Sequence, residues 1–181
     1  MKQFEKPVKQ ETVYEGKIIR VRKDDALAAN GNPVVREVVE HNGGVCVAAL
    51  TQENELLFVR QFRYPYQEIL LELPAGKREK TESPLECGKR ELQEETGAIG
   101  SGYLSLGQLY PTPGYCNEII HLYLCRVDSV GSTNPDEDEF LTVEKIPLER
   151  AVEMVLNHEI PDAKTQVAVL KAYALVKLGR Y

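Results

Sequence analysis

Apolar and polar positions alternate in short runs through the first half of the chain. "VYEGKIIRVRKD" and "PVVREVVEH" are rich in β-formers and flank "AANGN", which predicts a hairpin turn around Asn30-Gly31. "GGVCVAAL" (43–50) and "ELLFVRQF" (55–62) bracket "TQEN" and predict a second hairpin. "QEILLELP" (67–74) alternates like a strand and stops at Pro74-Ala75-Gly76. The period then changes. Ser83 with Glu86 forms a capping box, Pro84 falls at the first helical position, and Gly97 is a C-terminal stop, so 84–96 is predicted helical. "GYLSLGQLY" and "EIIHLYLCRV" predict two more strands separated by "PTPGYCN". "PLERAVEMVLNHEI" and "DAKTQVAVLKAYALVKLG" predict amphipathic helices, the second with Val167, Leu170, Ala174 and Leu178 on its apolar face. The expected fold is α/β (α+β), with residues 1–42 as an N-terminal β appendage and 43–181 as the main domain.

The helix at 84–96 has unusual chemistry. Leu85, Gly88 and Leu92 fall within one narrow arc and face the core, with Gly88 permitting close approach. Glu91, Glu94 and Glu95 form a second arc beside it. Glu91 and Glu95 are an i,i+4 like-charge pair, which costs roughly 0.2–0.5 kcal/mol, and they lie in the half where the helix dipole already disfavours anions. Arg90 can pair with Glu94, and no other residue of the helix neutralises the remaining two. A solvated acidic face would interleave lysine at i+4. Oxygen ligands clustered beside a loop with free carbonyls suit Mg²⁺ or Mn²⁺ instead.

Composition narrows the partners. The 181 residues include 43% apolar and 28% charged side chains, enough for one globular domain with a small appendage. The net charge of -6 argues against nucleic acid or an anionic membrane as partner. An anionic substrate would need cations to mediate its binding. The four cysteines (Cys46, Cys87, Cys116, Cys125) show no CxxC or Cys/His pattern and read as reduced, half-buried thiols. The N-terminus has no apolar h-region and no stretch reaches 18 apolar residues, so a cytoplasmic protein is expected.

Gly76, Glu82 and Arg90-Glu91-Leu92-x-Glu94-Glu95-x-Gly97, in that spacing, match the Nudix box. The family prefers a bulky aliphatic residue after the last glycine, where this chain has Ala98. From about residue 10 to 178 the chain resembles bacterial ADP-ribose pyrophosphatases of that family. "VRQFRYP", "PAGK", "PTPGYCNE", "DEDEF" and "DAKT" each resemble segments of the subfamily, and Pro113-Gly114 matches its ADP-ribose feature.

The resemblance implies an α/β/α sandwich with a mixed sheet and hydrolysis of the diphosphate of a nucleotide sugar. ADP-ribose, giving AMP and ribose 5-phosphate, is the favoured substrate. A GDP- or UDP-sugar is the alternative, and a non-catalytic ADP-ribose sensor is disfavoured by the intact box. It implies metal binding by Glu91, Glu95 and Glu94 with the Ala75 carbonyl, supported by Glu82 and Arg90. Substrate contacts fall on Arg36, Arg63, Pro113, Gly114 and Glu118, the last to ribose or metal. The catalytic base is expected in "NPDEDEF": Glu139, which Phe140 beside it can anchor, then Glu137, with Glu94 next. The resemblance also implies a homodimer in which the appendage is exchanged. Where the family stacks adenine on an aromatic, "IIRV" (18–21) has none.

Overall fold

The computed structural model describes residues 3–134 and 140–181. The chain divides into two compact units, Met1–Gly43 with Tyr110–Ile119, and Gly44–Leu109 with Ile120–Tyr181. The first unit is an antiparallel sheet of β1 (Lys6–Glu15), β2 (Ile19–Leu27) and β3 (Pro33–His41) in the order β1-β2-β3. The β2–β3 turn closes at Ala28–Asn32, with Gly31 at φ 86. "VYEGKIIRVRKD" is therefore two strand pieces, because Gly16 breaks it and its amide donates to the Ile19 carbonyl at 2.9 Å.

The second unit is built on a mixed sheet. Its strands are β4 (Gly44–Leu50), β5 (Glu55–Arg63), β6 (Glu68–Glu72), β7 (Ala75–Lys77), β8 (Ala98–Leu109), β9 (Ile120–Val130) and β10 (Leu141–Pro147), with the central order β10-β5-β4-β9-β8. β6 pairs with β5 and β7 with β4. β4 runs parallel to β9 and every one of its residues is buried, the pattern of a strand covered on both faces.

Alternation along β4 divides the core. Cys46, Ala48 and Leu50 join the cluster containing α2 (Leu148–Leu156) and α3 (Ala163–Lys177). Val45, Val47 and Ala49 join the cluster containing Cys87 and Leu92 of α1 (Pro84–Thr96). The result is an α/β/α sandwich. Helix α1 begins and ends where its caps predict: Ser83 and Glu86 bond reciprocally and Gly97 is left-handed at φ 69.

Helix α3 departs from expectation. Its buried residues are Thr165, Ala168, Val169 and Ala172, while Leu178 is 68% exposed and Leu170 is also exposed. Small side chains let the helix lie close to the sheet, so contact distance rather than side-chain hydrophobicity chose the face. Strand β10 in "LTVEKIP" was not foreseen. It pairs along β5 over Leu141–Pro147.

Candidate active site

Helix α1 carries its glutamates into the protein. Gly88 makes this possible: a Cβ there would stand 3.1 Å from Val45 Cγ2 and 3.2 Å from Val47 Cγ2. The helix thus sits against β4, and its next turns bury Glu91 (9% exposed) and Glu95 (2% exposed). Glu95 Oε2 accepts the Ala75 amide at 3.0 Å. The Glu91 carboxyl lies against Gly76, where a Cβ would stand 1.9 Å from Glu91 Cδ. Two buried carboxyls from one helix therefore meet two adjacent residues of β7.

Arg90 does more than pair with Glu94, and this corrects the expectation that Glu91 lacks a partner. Its Nη1 is 2.8 Å from Glu94 Oε2 and 2.9 Å from Glu91 Oε1. Its Nε donates to Glu82 Oε1 at 2.9 Å. Neighbours one apart on a helix do not face each other, but a long arginine lying across the helix can reach both. The hydrogen bond from Arg90 holds the Glu82 carboxyl below its usual range. Glu82, with Arg90 as its largest influence, raises the guanidinium in turn, so the cation is permanent. Burial pushes the Cys87 thiol up to about 12, so it is an inert packing group.

The other expected residues lie in different surroundings. Arg63 is bound by Glu72, its Nε and Nη2 donating at 2.6 and 2.8 Å. In the first unit, Arg36 is exposed and its Nε donates to Glu5 at 2.9 Å. Pro113 and Gly114 are exposed, and a Cβ on Gly114 would meet nothing within 4 Å. Their loop is tied to β3: the Val39 amide donates to Tyr115 O at 2.7 Å and the Asn117 amide to Val39 O at 3.0 Å. Glu118 Oε1 lies 3.2 Å from His41 Nδ1. Glu137 and Glu139 are outside the described residues. Phe140, expected to anchor Glu139, is 85% exposed.

One group escaped sequence reasoning. Glu72, 1% exposed, binds both Arg63 and Lys164, and Lys164 Nζ also donates to Asp162 Oδ1 at 2.9 Å. Burial alone would raise the Glu72 carboxyl, but Arg63 and Lys164 outweigh it and hold it at about 2. The available signal was an acidic residue between Leu71 and Leu73, at the buried end of an alternating strand.

Among the described residues, no group of three His, Cys, Asp or Glu side chains gathers round one point. The residues still fit a hard cation. Glu91 and Glu95 are oxygen donors, they are withdrawn from bulk water, and both meet β7, where only the missing Cβ of Gly76 leaves room for Glu91. A cation of the Mg²⁺ type needs only one or two protein carboxylates, with water and substrate phosphate completing its shell.

The chain is similar to known proteins. The NUDIX domain model matches residues 40–167. An ADP-ribose pyrophosphatase of Bacillus subtilis is 39% identical over 91% of this chain and 90% of its own length. A methanol dehydrogenase activator of Bacillus methanolicus is 38% identical over 91% and 90%. A crystal structure described as an ADP compounds hydrolase superposes with a TM-score of 0.82, covering 97% of each chain at 22% identity, and shares the fold. With the box assembled at the α1–β7 contact and the model matching most of the chain, this protein belongs to the NUDIX domain family.

Proposed function

We propose that the protein is a divalent-metal-dependent pyrophosphatase that cleaves ADP-ribose to AMP and ribose 5-phosphate. The observation that carries the reading is the pair of buried carboxyls, Glu91 and Glu95, set against Gly76 and Ala75. Clustered carboxylate oxygens withdrawn from bulk water are the donors a hard cation takes, and a diphosphate is an anion that an acidic site binds through cations. The substrate is supported by the relative named ADP-ribose pyrophosphatase, 39% identical over 91% of the chain.

In this reading Glu91 and Glu95, joined by Glu94 and the Ala75 carbonyl, hold Mg²⁺, with Mn²⁺ as a substitute. The metal supplies charge neutralisation at the phosphates and acidifies a water. The chain's own residues do the rest. Arg90 gathers Glu82, Glu91 and Glu94 and keeps their carboxyls oriented. Arg63 offers its remaining donors to the diphosphate. A loop carboxylate, Glu139 or Glu137, takes the proton of the attacking water. Arg36, Pro113, Gly114 and Glu118 of the first unit contact the nucleotide.

We also assign a homodimer that exchanges the first unit. Support comes from β1, whose ten residues are all exposed, Val8, Val13 and Tyr14 among them. A stable protein rarely leaves such a strand uncovered.

The test is a panel of ADP-ribose, GDP- and UDP-sugars with Mg²⁺, the products identified by mass. AMP with ribose 5-phosphate as the preferred pair supports the reading. A higher kcat/KM on a GDP-sugar, consistent with the missing aromatic at 18–21, transfers the same mechanism to that substrate. No cleavage of any diphosphate overturns it.

A further inference from the structure

The segment Asp162-Ala163-Lys164-Thr165 stands out in the sequence, yet the chemistry of the box gives it no task. In the structure it caps α3 and reaches the sheet. Asp162 Oδ2 accepts the Thr165 amide at 3.0 Å and the Thr165 hydroxyl at 2.6 Å. The same hydroxyl oxygen accepts the Leu73 amide at 3.0 Å. Lys164 bonds Asp162 and Glu72, and Glu72 accepts the two-pronged contact from Arg63.

Exposure along this chain of contacts is least at Glu72 and greatest at the Arg63 end. The Glu72 side chain is 2% exposed, Lys164 13%, and Arg63 35%. Glu72 engages Nε and Nη2 of Arg63, and Nη1 has no acceptor among the described residues. A guanidinium is planar, so fixing one edge fixes the direction of the other. Two acids and two bases make the cluster neutral, so it can orient a cation without adding negative charge beside an anionic substrate.

We propose that Glu72, Lys164 and Asp162 are positioning residues that hold Arg63 with its open Nη1 edge directed at the substrate diphosphate. The proposal rests on the reading of Arg63 as a diphosphate contact. Lys164 shares the Glu72 carboxylate, which keeps Arg63 at the outer side of the cluster. The cap formed by Asp162 and Thr165 fixes the start of α3 from which Lys164 extends. Arg63 therefore reaches the substrate with its side chain already ordered, and binding does not bear that entropy cost.

Glu72→Gln separates this role from its rivals. It makes the cluster more positive by one charge, so charge alone predicts a lower KM for an anion. A purely structural role predicts a lower melting temperature with KM unchanged. Positioning predicts a KM raised roughly tenfold despite the added charge, because Arg63 loses its fixed edge. The experiment measures kcat and KM of the full chain at saturating Mg²⁺ for Glu72→Gln, Arg63→Ala and the double variant, on whichever nucleotide sugar the protein cleaves best. The expected result is that Glu72→Gln raises KM in the parent and has no effect in the Arg63→Ala background. If Glu72→Gln does not fold, Lys164→Met takes its place, and its rise in KM must likewise vanish without Arg63. An effect of the same size in both backgrounds, or an unchanged or lower KM for Glu72→Gln, overturns the proposal. An Arg63→Ala variant with unchanged KM instead overturns the assignment of Arg63 itself.

Discussion

Adding one methyl group at Gly76 tests whether the placement of Glu91 matters. In Gly76→Ala the new Cβ would stand 1.9 Å from Glu91 Cδ and 2.0 and 2.3 Å from its oxygens. Carbon atoms in contact sit about 3.5 Å apart, so the carboxyl must retreat by roughly 1.5 Å. A metal ligand tolerates only about 0.2 Å of error, so Glu91 would leave the coordinating position proposed for it. A displacement of that size costs on the order of 10² in rate, or about 2.7 kcal/mol in the barrier. The retreating group is the free end of a flexible side chain, and Gly76 does not need a left-handed backbone. The fold should therefore persist, with the melting temperature within about 4 °C of the parent. The assay is initial rate against Mg²⁺ concentration, with thermal melting followed by circular dichroism in parallel. The expected result is a much lower kcat, a weaker Mg²⁺ half-saturation and a preserved melt. A variant whose kcat and Mg²⁺ half-saturation stay within about twofold of the parent would refute the role of Glu91.

Glu95→Gln should keep an acceptor for the Ala75 amide, so a preserved melt with turnover reduced by about 10² or more is expected at saturating Mg²⁺. Glu72 titrates with the opposite balance from a buried lone acid: Arg63 and Lys164 hold its carboxyl at about 2, below the ordinary glutamate value of 4.5. Its stabilisation, on the order of 3 kcal/mol, is present above pH 4.5 and lost as pH falls towards 2. Urea melts at pH 6 and pH 3 should show that loss in the parent and not in Glu72→Gln; equal losses would remove Glu72 as the cause. Glu139→Gln should lower kcat by roughly 10²–10⁴ with KM nearly unchanged, and Glu137→Gln less; the reverse order makes Glu137 the base. Deleting residues 1–42 should abolish dimer and activity together in light scattering and turnover, and a fully active monomer of the whole chain would sink the exchange.

The legible parts of this protein are those decided within a few residues. Helix α1 was readable at both ends because Ser83 and Glu86 cap each other and Gly97 adopts a conformation suited to glycine. The apolar run at 43–50 was legible as a strand, and the structure adds that it is covered on both faces. The acidic face was legible as an anomaly of charge spacing. Its relief by Arg90 was not, because Glu82 comes from the loop before the helix and Glu91 is met only by an arginine lying across its own helix. The buried face of α3 was misread since Ala168, Ala172 and Thr165 carry little hydrophobicity and are chosen by closeness to the sheet. The contact between Glu72 and Lys164 joins residues 92 positions apart, and nothing local in either segment specifies it.

The segment from Glu72 to Gly76 explains how two electrostatic regimes can stand side by side. Glu72 belongs to the neutral cluster at the start of α3, and three residues later the Ala75 amide belongs to the acidic face of α1. The backbone between them is pinned at each step: the Leu73 amide to Thr165 Oγ1, the Pro74 carbonyl to the Val47 amide at 2.9 Å, and the Ala75 amide to Glu95. Such a strand can slide in neither direction without breaking a buried bond, and a buried polar group left unsatisfied costs about 1–3 kcal/mol. Carboxylates that repel one another therefore cannot relax by moving the strand they face. The carboxylates stay where Arg90 gathers them, which is where the proposed function would seat a cation, and the rigid support on the α3 side keeps the strand opposite them in place.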